Sequence, residues 1–183
     1  MVAACRLAAI VRGFARSLGR RISQHRLDDG QGASLGGRRK RGAEAQAIGR
    51  SRGGRTTKIH AVCDARGRAI AIEVTPGQLG DVRAAAHLLG QLPPSRRCAA
   101  DTAYDSNALR QFLHERGTLP VIPNNPTRKR LHAFDRKAYK RRNLIERAFC
   151  RLKDWRRVAT RYDKLARNFH AAAVIAAIII WWC

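Results

Sequence analysis

Between residues 128 and 167 the chain carries 16 Lys and Arg against four acidic residues. A run of charge that dense usually belongs to a solvated tail. Here, however, Leu144, Ile145, Phe149, Leu152 and Trp155 recur through it at helical spacing. The block therefore reads as a folded amphipathic helix over 137–162, with a basic face and an apolar stripe. It supplies half of the formal net charge of +24. A surplus of that size calls for a polyanionic partner, and nucleic acid is the usual one. An anionic membrane surface is the competing reading. No apolar stretch is long enough to favour a span, since 171–182 is too short to cross a bilayer. That stretch reads as a buried C-terminal helix or strand.

The remaining texture is that of one α/β domain over 43–183, preceded by an Arg- and Gly-rich segment over 1–42. No strand is expected in 1–49, where Gly30, Gly32, Gly36 and Gly37 interrupt any periodicity. Residues 57–63 and 69–75 alternate as strands around the turn Asp64-Ala-Arg-Gly67, which predicts a β-hairpin. Asp81 is placed to cap a helix running to about Leu92, which Pro93-Pro94 closes. A short buried strand is expected at 98–100, a helix at 107–116 and another strand at 119–122. The order predicts a mixed sheet with flanking helices. The five cysteines, Cys5, Cys63, Cys98, Cys150 and Cys183, form no C-x-x-C pair, so neither a zinc site nor a disulfide framework is indicated.

With 13 acidic residues in all, a carboxylate site can be sought by elimination. Asp64 sits in a turn, and Asp81 reads as a cap. Glu44, Glu115, Asp135, Asp154 and Asp163 lie among basic neighbours, as solvated ion-pair partners. Asp101 follows the apolar strand at 98–100, at the carboxyl end where α/β sheets bind ligands. A turn or cap role would suit the same position. Glu146 falls on the long helix. At about 100° per residue, Arg142, Glu146 and Lys153 lie within roughly 60° of Tyr139, beside the apolar stripe. An exposed Glu146 paired with Arg142 would produce the same pattern. Carboxylates on separate elements, with basic residues alongside, suit phosphoryl transfer on DNA assisted by two divalent ions.

Tyr139, Arg142, Glu146 and Lys153 reproduce the Y-x2-R-x3-E-x6-K pattern of IS4/IS5-type insertion-sequence transposases at every position and spacing. Ala100-Asp101-Thr-Ala-Tyr-Asp-Ser106 resembles the segment around that family's second catalytic Asp. Gly-Arg-Ser-Arg-Gly-Gly54 and Thr-Lys-Ile-His60 resemble the approach to its second strand. The resemblance is closest to the IS5 group and spans residues 42–182. It implies an RNase H-like fold, with Asp101 and Glu146 as second and third metal-binding carboxylates. It also implies Mg2+ or Mn2+ as cofactor, and Tyr139, Arg142, Lys153 and the neighbouring Arg147 as DNA contacts. Terminal repeats and target DNA would be the partners, with a homo-oligomer assembled on DNA in the bacterial cytoplasm, at the nucleoid.

The family's first Asp lies in a segment resembling D-S-T-x-V-x-A-H. This chain has Asp28 and Asp29 at about that distance, but no apolar strand leads into them. Codons for 25–37, shifted by one base, can read Ile-Asp-Ser-Thr-Met-Val-Lys-Ala-His-Arg-Ser-Ala. The N-terminal part is therefore expected to be out of frame, leaving the sheet without its proper first strand. A divergent N-terminus in which Asp28 or Asp29 takes over is the alternative. The functional expectation is strand cleavage and transfer at element ends; its rival is an inactive remnant that still binds DNA.

Overall fold

The computed structural model describes residues 8–17, 43–51 and 54–183. Six strands form one sheet: β1 (Ala8–Ser17), β2 (Gly49–Ser51), β3 (Gly54–Cys63), β4 (Ala69–Pro76), β5 (Arg97–Ala100) and β6 (Leu119–Val121). Their order is β2-β3-β1-β5-β6, with β4 also paired to β3. β3 runs antiparallel to β1, β2 and β4, whereas β5 runs parallel to β1 and β6. Helices α1 (Ala43–Gln46), α2 (Asp81–Gly90), α3 (Asn107–Glu115), α4 (Arg136–Tyr139), α5 (Asn143–Asp154), α6 (Arg156–Ala159) and α7 (Ala166–Trp182) complete the chain. This is the mixed sheet with flanking helices that the RNase H-like expectation requires.

Side-chain alternation along the strands sorts the core into two layers. Ile59, Ala61, Cys63 and Ala99 face Ile145, Phe149, Leu152, Phe169 and Ala173 of α5 and α7. Val62, Cys98 and Ala100 face Ala85, Leu88, Leu89, Leu109 and Leu113 of α2 and α3. Both faces of β5 are thus covered, which is why its sequence is a short apolar run and not an alternation. Burial pushes the Cys63 and Cys98 thiols up to about 12, aided at Cys63 by the Asp64 charge and opposed at Cys98 by Arg116. Neither is a reactive thiolate at neutral pH.

The β3–β4 hairpin forms where the alternation predicts it. Gly67 adopts φ +79° in its turn, a conformation that costs glycine nothing. Asp64 is buried there and accepts from the backbone N–H of Arg66 and Arg68 at 2.9 and 3.0 Å.

No strand was expected in 1–49, yet the backbone shows β1 there and β2 starting at Gly49. β1 fills the mid-sheet position expected to be empty, so residues 8–17 belong to the same sheet as the rest of the domain. Val11 pairs with Ala100, and Arg12 pairs with Ala61. The physical reason is backbone pairing. A gap between β3 and β5 would leave two rows of unpaired N–H and C=O groups at the centre of the sheet. Residues 8–17 contain no proline to prevent them from filling it.

Further expectations are corrected or refined. The long helix over 137–162 is segmented into α4, a 3-10 turn at Lys140–Arg142, α5 and α6. Trp155, expected in the core stripe, is extended (φ −78°, ψ 106°), ends α5 and is 38% exposed. Asp81 does not cap α2: Gly80 holds the cap position, and Asp81 instead pairs with Lys58 at 2.7 Å. Asp135 is a true cap, its Oδ1 accepting from the Ala138 N–H at 2.9 Å. The C-terminal apolar stretch is helix α7, which buries Phe169, Ala173, Ala176 and Ala177 but leaves Ile175, Ile178, Ile179 and Trp182 exposed. No helix among the described residues is long and apolar enough to cross a membrane.

One buried histidine gives a prediction about stability. His60 is fully buried on β3, and its Nε2 lies 2.8 Å from Thr75 Oγ1. Burial lowers its pKa from 6.5 to about 4, with a nearby Asp81 opposing and Lys58 assisting. Between those values the unfolded chain binds a proton that the folded one refuses. Stability should therefore fall as pH drops from about 6.5 toward 4, and His60 should add no further loss below that. Urea midpoints measured across this range check it; in His60→Asn that part of the slope should vanish.

Candidate active site

β5 delivers Asp101. Positions 99 and 101 share a parity, and Ala99 packs on the α5 side of the sheet. Asp101 remains extended (φ −81°, ψ 176°), so it emerges at the strand's carboxyl end on the face that α5 covers. Its Oδ1 accepts from the Ala103 N–H at 2.9 Å and caps the turn Thr102–Tyr104.

The helical run delivers the other members. Asp135 starts α4, and the backbone stays helical through the Lys140–Arg142 turn into α5. The turn packs against β5. Ile145, Ala148, Phe149 and Leu152 anchor α5 on the core. Glu146 lies beside that stripe, half-buried, and accepts from Arg142 at 2.7 Å. The Arg142 guanidinium sits 5.3 Å from the Tyr139 ring centroid. Burial raises the Tyr139 pKa first of all; Asp101 and Glu146 push it further up, and Arg142 opposes them. Arg142 thus meets both the Tyr139 ring and Glu146, and the turn that carries it packs against β5, the strand that ends just before Asp101.

Lys153 sits on α5 about 10 Å along the axis from Glu146, by the rise of an α-helix. Arg147 follows Glu146 and is exposed, as are Lys140, Arg141 and Arg151. Asp28 and Asp29 lie outside the described residues. β1 contains no Asp or Glu.

Asp105 was missed by sequence reasoning. Its side chain is fully buried between Arg110 and Arg128. Arg128 donates at 2.8 and 3.0 Å, Arg110 at 2.8 Å and the Asn125 N–H at 2.7 Å. Burial alone would raise its pKa; the Arg128, Asn125 and Arg110 hydrogen bonds outweigh that and hold it at about 2. A signal was present in the sequence. Arg110 lies on the apolar side of α3 with Leu109 and Leu113, and a cation there needs a buried partner.

The Transposase DDE domain family matches residues 22–182. The chain belongs to this family of DDE transposase domains. A Brucella ovis protein named as a transposase for insertion sequence element IS6501 is 39% identical over 127 residues, which is 69% of this chain and 98% of the relative. A Burkholderia cepacia protein named as a transposase for IS402 is 29% identical over 137 residues, covering 69% of this chain and 63% of the relative. Among solved structures, the catalytic core domain of BIV integrase overlaps 67% of this chain and 73% of its own, with a TM-score of 0.44 and 17% identity. DDE transposases generally depend on divalent metal ions and act on DNA. Among the described residues, no group of three or more His, Cys, Asp or Glu could hold a metal ion. Asp101 and Glu146 are two carboxylates, and Arg142 pairs with one of them. That set does not complete a two-ion site.

Proposed function

We propose that this chain is the DNA-handling core of an insertion-sequence transposase of the IS4/IS5 type, with Asp101 and Glu146 as its second and third carboxylates. The observation that carries the reading is the Lys140–Arg142 turn, which packs against β5, the strand before Asp101, while Arg142 meets both the Tyr139 ring and Glu146. Tyr139, Arg142, Arg147 and Lys153 would hold the phosphate backbone next to them. Arg142 suits this role because its guanidinium can fork onto a phosphate as it now does onto Glu146. Strand cleavage and transfer at terminal repeats, with Mg2+ or Mn2+, is the activity this membership implies. A third carboxylate would have to come from outside β1, from Asp28, Asp29 or the shifted reading frame.

A second reading has its own support. β1 contains no Asp or Glu, and among the described residues no group of three or more His, Cys, Asp or Glu could hold a metal ion. A chain of that kind binds DNA ends without cutting them.

Both readings share a test. Affinity for a duplex, followed by fluorescence anisotropy, should fall linearly on a log–log plot against salt as condensed counterions are released. Replacing Arg142, Arg147 and Lys153 with glutamine should lower that slope by about one for each phosphate no longer neutralised. An affinity indifferent to salt would remove the basic helix from the DNA surface and take the proposal with it.

A further inference from the structure

The segment joining β6 to α4 is an irregular loop with a built frame. Asn124 and His132 tie its two limbs together, Asn124 Nδ2 donating to the His132 carbonyl and the His132 N–H donating to Asn124 Oδ1, both at 2.9 Å. Inside that closure, Asn125 Oδ1 accepts from the N–H and hydroxyl of Thr127 at 3.1 and 3.0 Å. The buried Asp105 carboxylate clamps the loop from beneath through Asn125 and Arg128, and Arg128 reaches Asn107 Oδ1 at 2.6 Å. Arg128 is thereby committed to the frame.

What the frame presents is Lys129, Arg130 and Leu131, all exposed. Leu131 is 75% exposed, more than any other large apolar side chain among the described residues. No acidic residue lies between Asn124 and Phe134. A leucine held in water on a braced, positive loop contributes nothing to the core. A second copy of this strongly basic chain would be repelled by its neighbours. Duplex DNA satisfies both features: phosphates attract the two cations, and an apolar side chain beside them can enter a base step.

We propose that this loop is a DNA wedge, in which Lys129 and Arg130 grip phosphates while Leu131 inserts between bases and unstacks them. The Asp105–Arg128 latch positions it against the Asp101 turn. The proposal rests on the DNA-binding reading above and adds a site of distortion to it.

The probe is a set of short duplexes, each with one 2-aminopurine at a TA or CA step, since pyrimidine–purine steps unstack most readily. The whole chain should bind them with a several-fold rise in fluorescence at one position. Leu131→Ala should abolish the rise while keeping the salt slope, because the phosphate contacts persist. Leu131→Phe should restore it. Leu119→Ala, at an exposed apolar residue on β6, should leave it intact. Arg128→Lys keeps the charge but loses the fork onto Asp105, and should blunt the rise. Salt-dependent binding with no rise, or a rise that survives Leu131→Ala, overturns the wedge and leaves the DNA-binding reading standing. A chain that binds no duplex overturns both.

Discussion

Replacing Asp105 with alanine should destabilise the fold by about 3–5 kcal/mol, the cost of removing one partner from a buried ion pair. Arg110 is 3% exposed and Arg128 is mostly covered, so neither guanidinium can replace its missing partner with water. Arg110 would keep only its bond to the Ile122 carbonyl at 2.8 Å. The urea midpoint should fall with little change in slope, since the surface exposed on unfolding is nearly the same. Asp105→Asn keeps acceptor geometry at one oxygen and should lose less. The pH dependence has a definite sign. The folded pKa lies near 2, below the unfolded carboxylate value, so the Asp105 contribution is fully present at neutral pH. It is lost as pH falls from about 4 toward 2, after the His60 contribution has already gone. A midpoint shift in Asp105→Ala worth less than about 1 kcal/mol would show that the two arginines find other partners, and the latch would lose its physical basis.

Local chemistry made much of this molecule legible. The β3–β4 hairpin follows from alternation around a turn that needs a glycine. α2 and α3 follow from spaced apolar residues and the flanking breakers. Asp101 and Glu146 could be singled out because one ends an apolar strand and the other sits beside a helical stripe. Yet the local alternatives are also realised. Asp101 does cap a turn, and Glu146 does pair with Arg142. Only the fold adds that the turn between Tyr139 and α5 packs against the strand that precedes Asp101.

The misses share a cause. β1 is held by ladder bonds to β3 and β5, which leave no pattern in a segment broken by arginine and glycine. The segmentation of the basic helix turns on Trp155 leaving helical geometry, although its spacing fits the stripe. Asp105 was given no role of its own, because its partners lie 5 and 23 positions away. Arg161 is similar. Its guanidinium reaches the carbonyls of Gln46 and Ala47, more than 100 positions earlier, and lies 5.0 Å from the centroid of the Phe169 ring. Long-range polar contacts of this kind have no sequence period.

The 183-residue chain should bind duplex DNA and leave it uncut in Mg2+. Two-ion phosphoryl transfer needs enough carboxylates to offset the charge of the ions and fix their separation. The described residues offer Asp101 and Glu146, and β1 contains no acidic residue. Reading residues 26–41 in the shifted frame would introduce the Ile-Asp-Ser-Thr segment and, with it, the missing acid. In that form, cleavage of end-labelled insertion-sequence termini should appear on a denaturing gel, and Asp101→Ala or Glu146→Ala should each remove it. The two substitutions should leave duplex affinity in metal-free buffer intact or slightly improved, because each deletes a negative charge near the phosphates. Cleavage by the unmodified chain that depends on Asp28 or Asp29 would reverse this conclusion: the N-terminal segment would then supply the first carboxylate itself, and the divergent reading would replace the shifted-frame one.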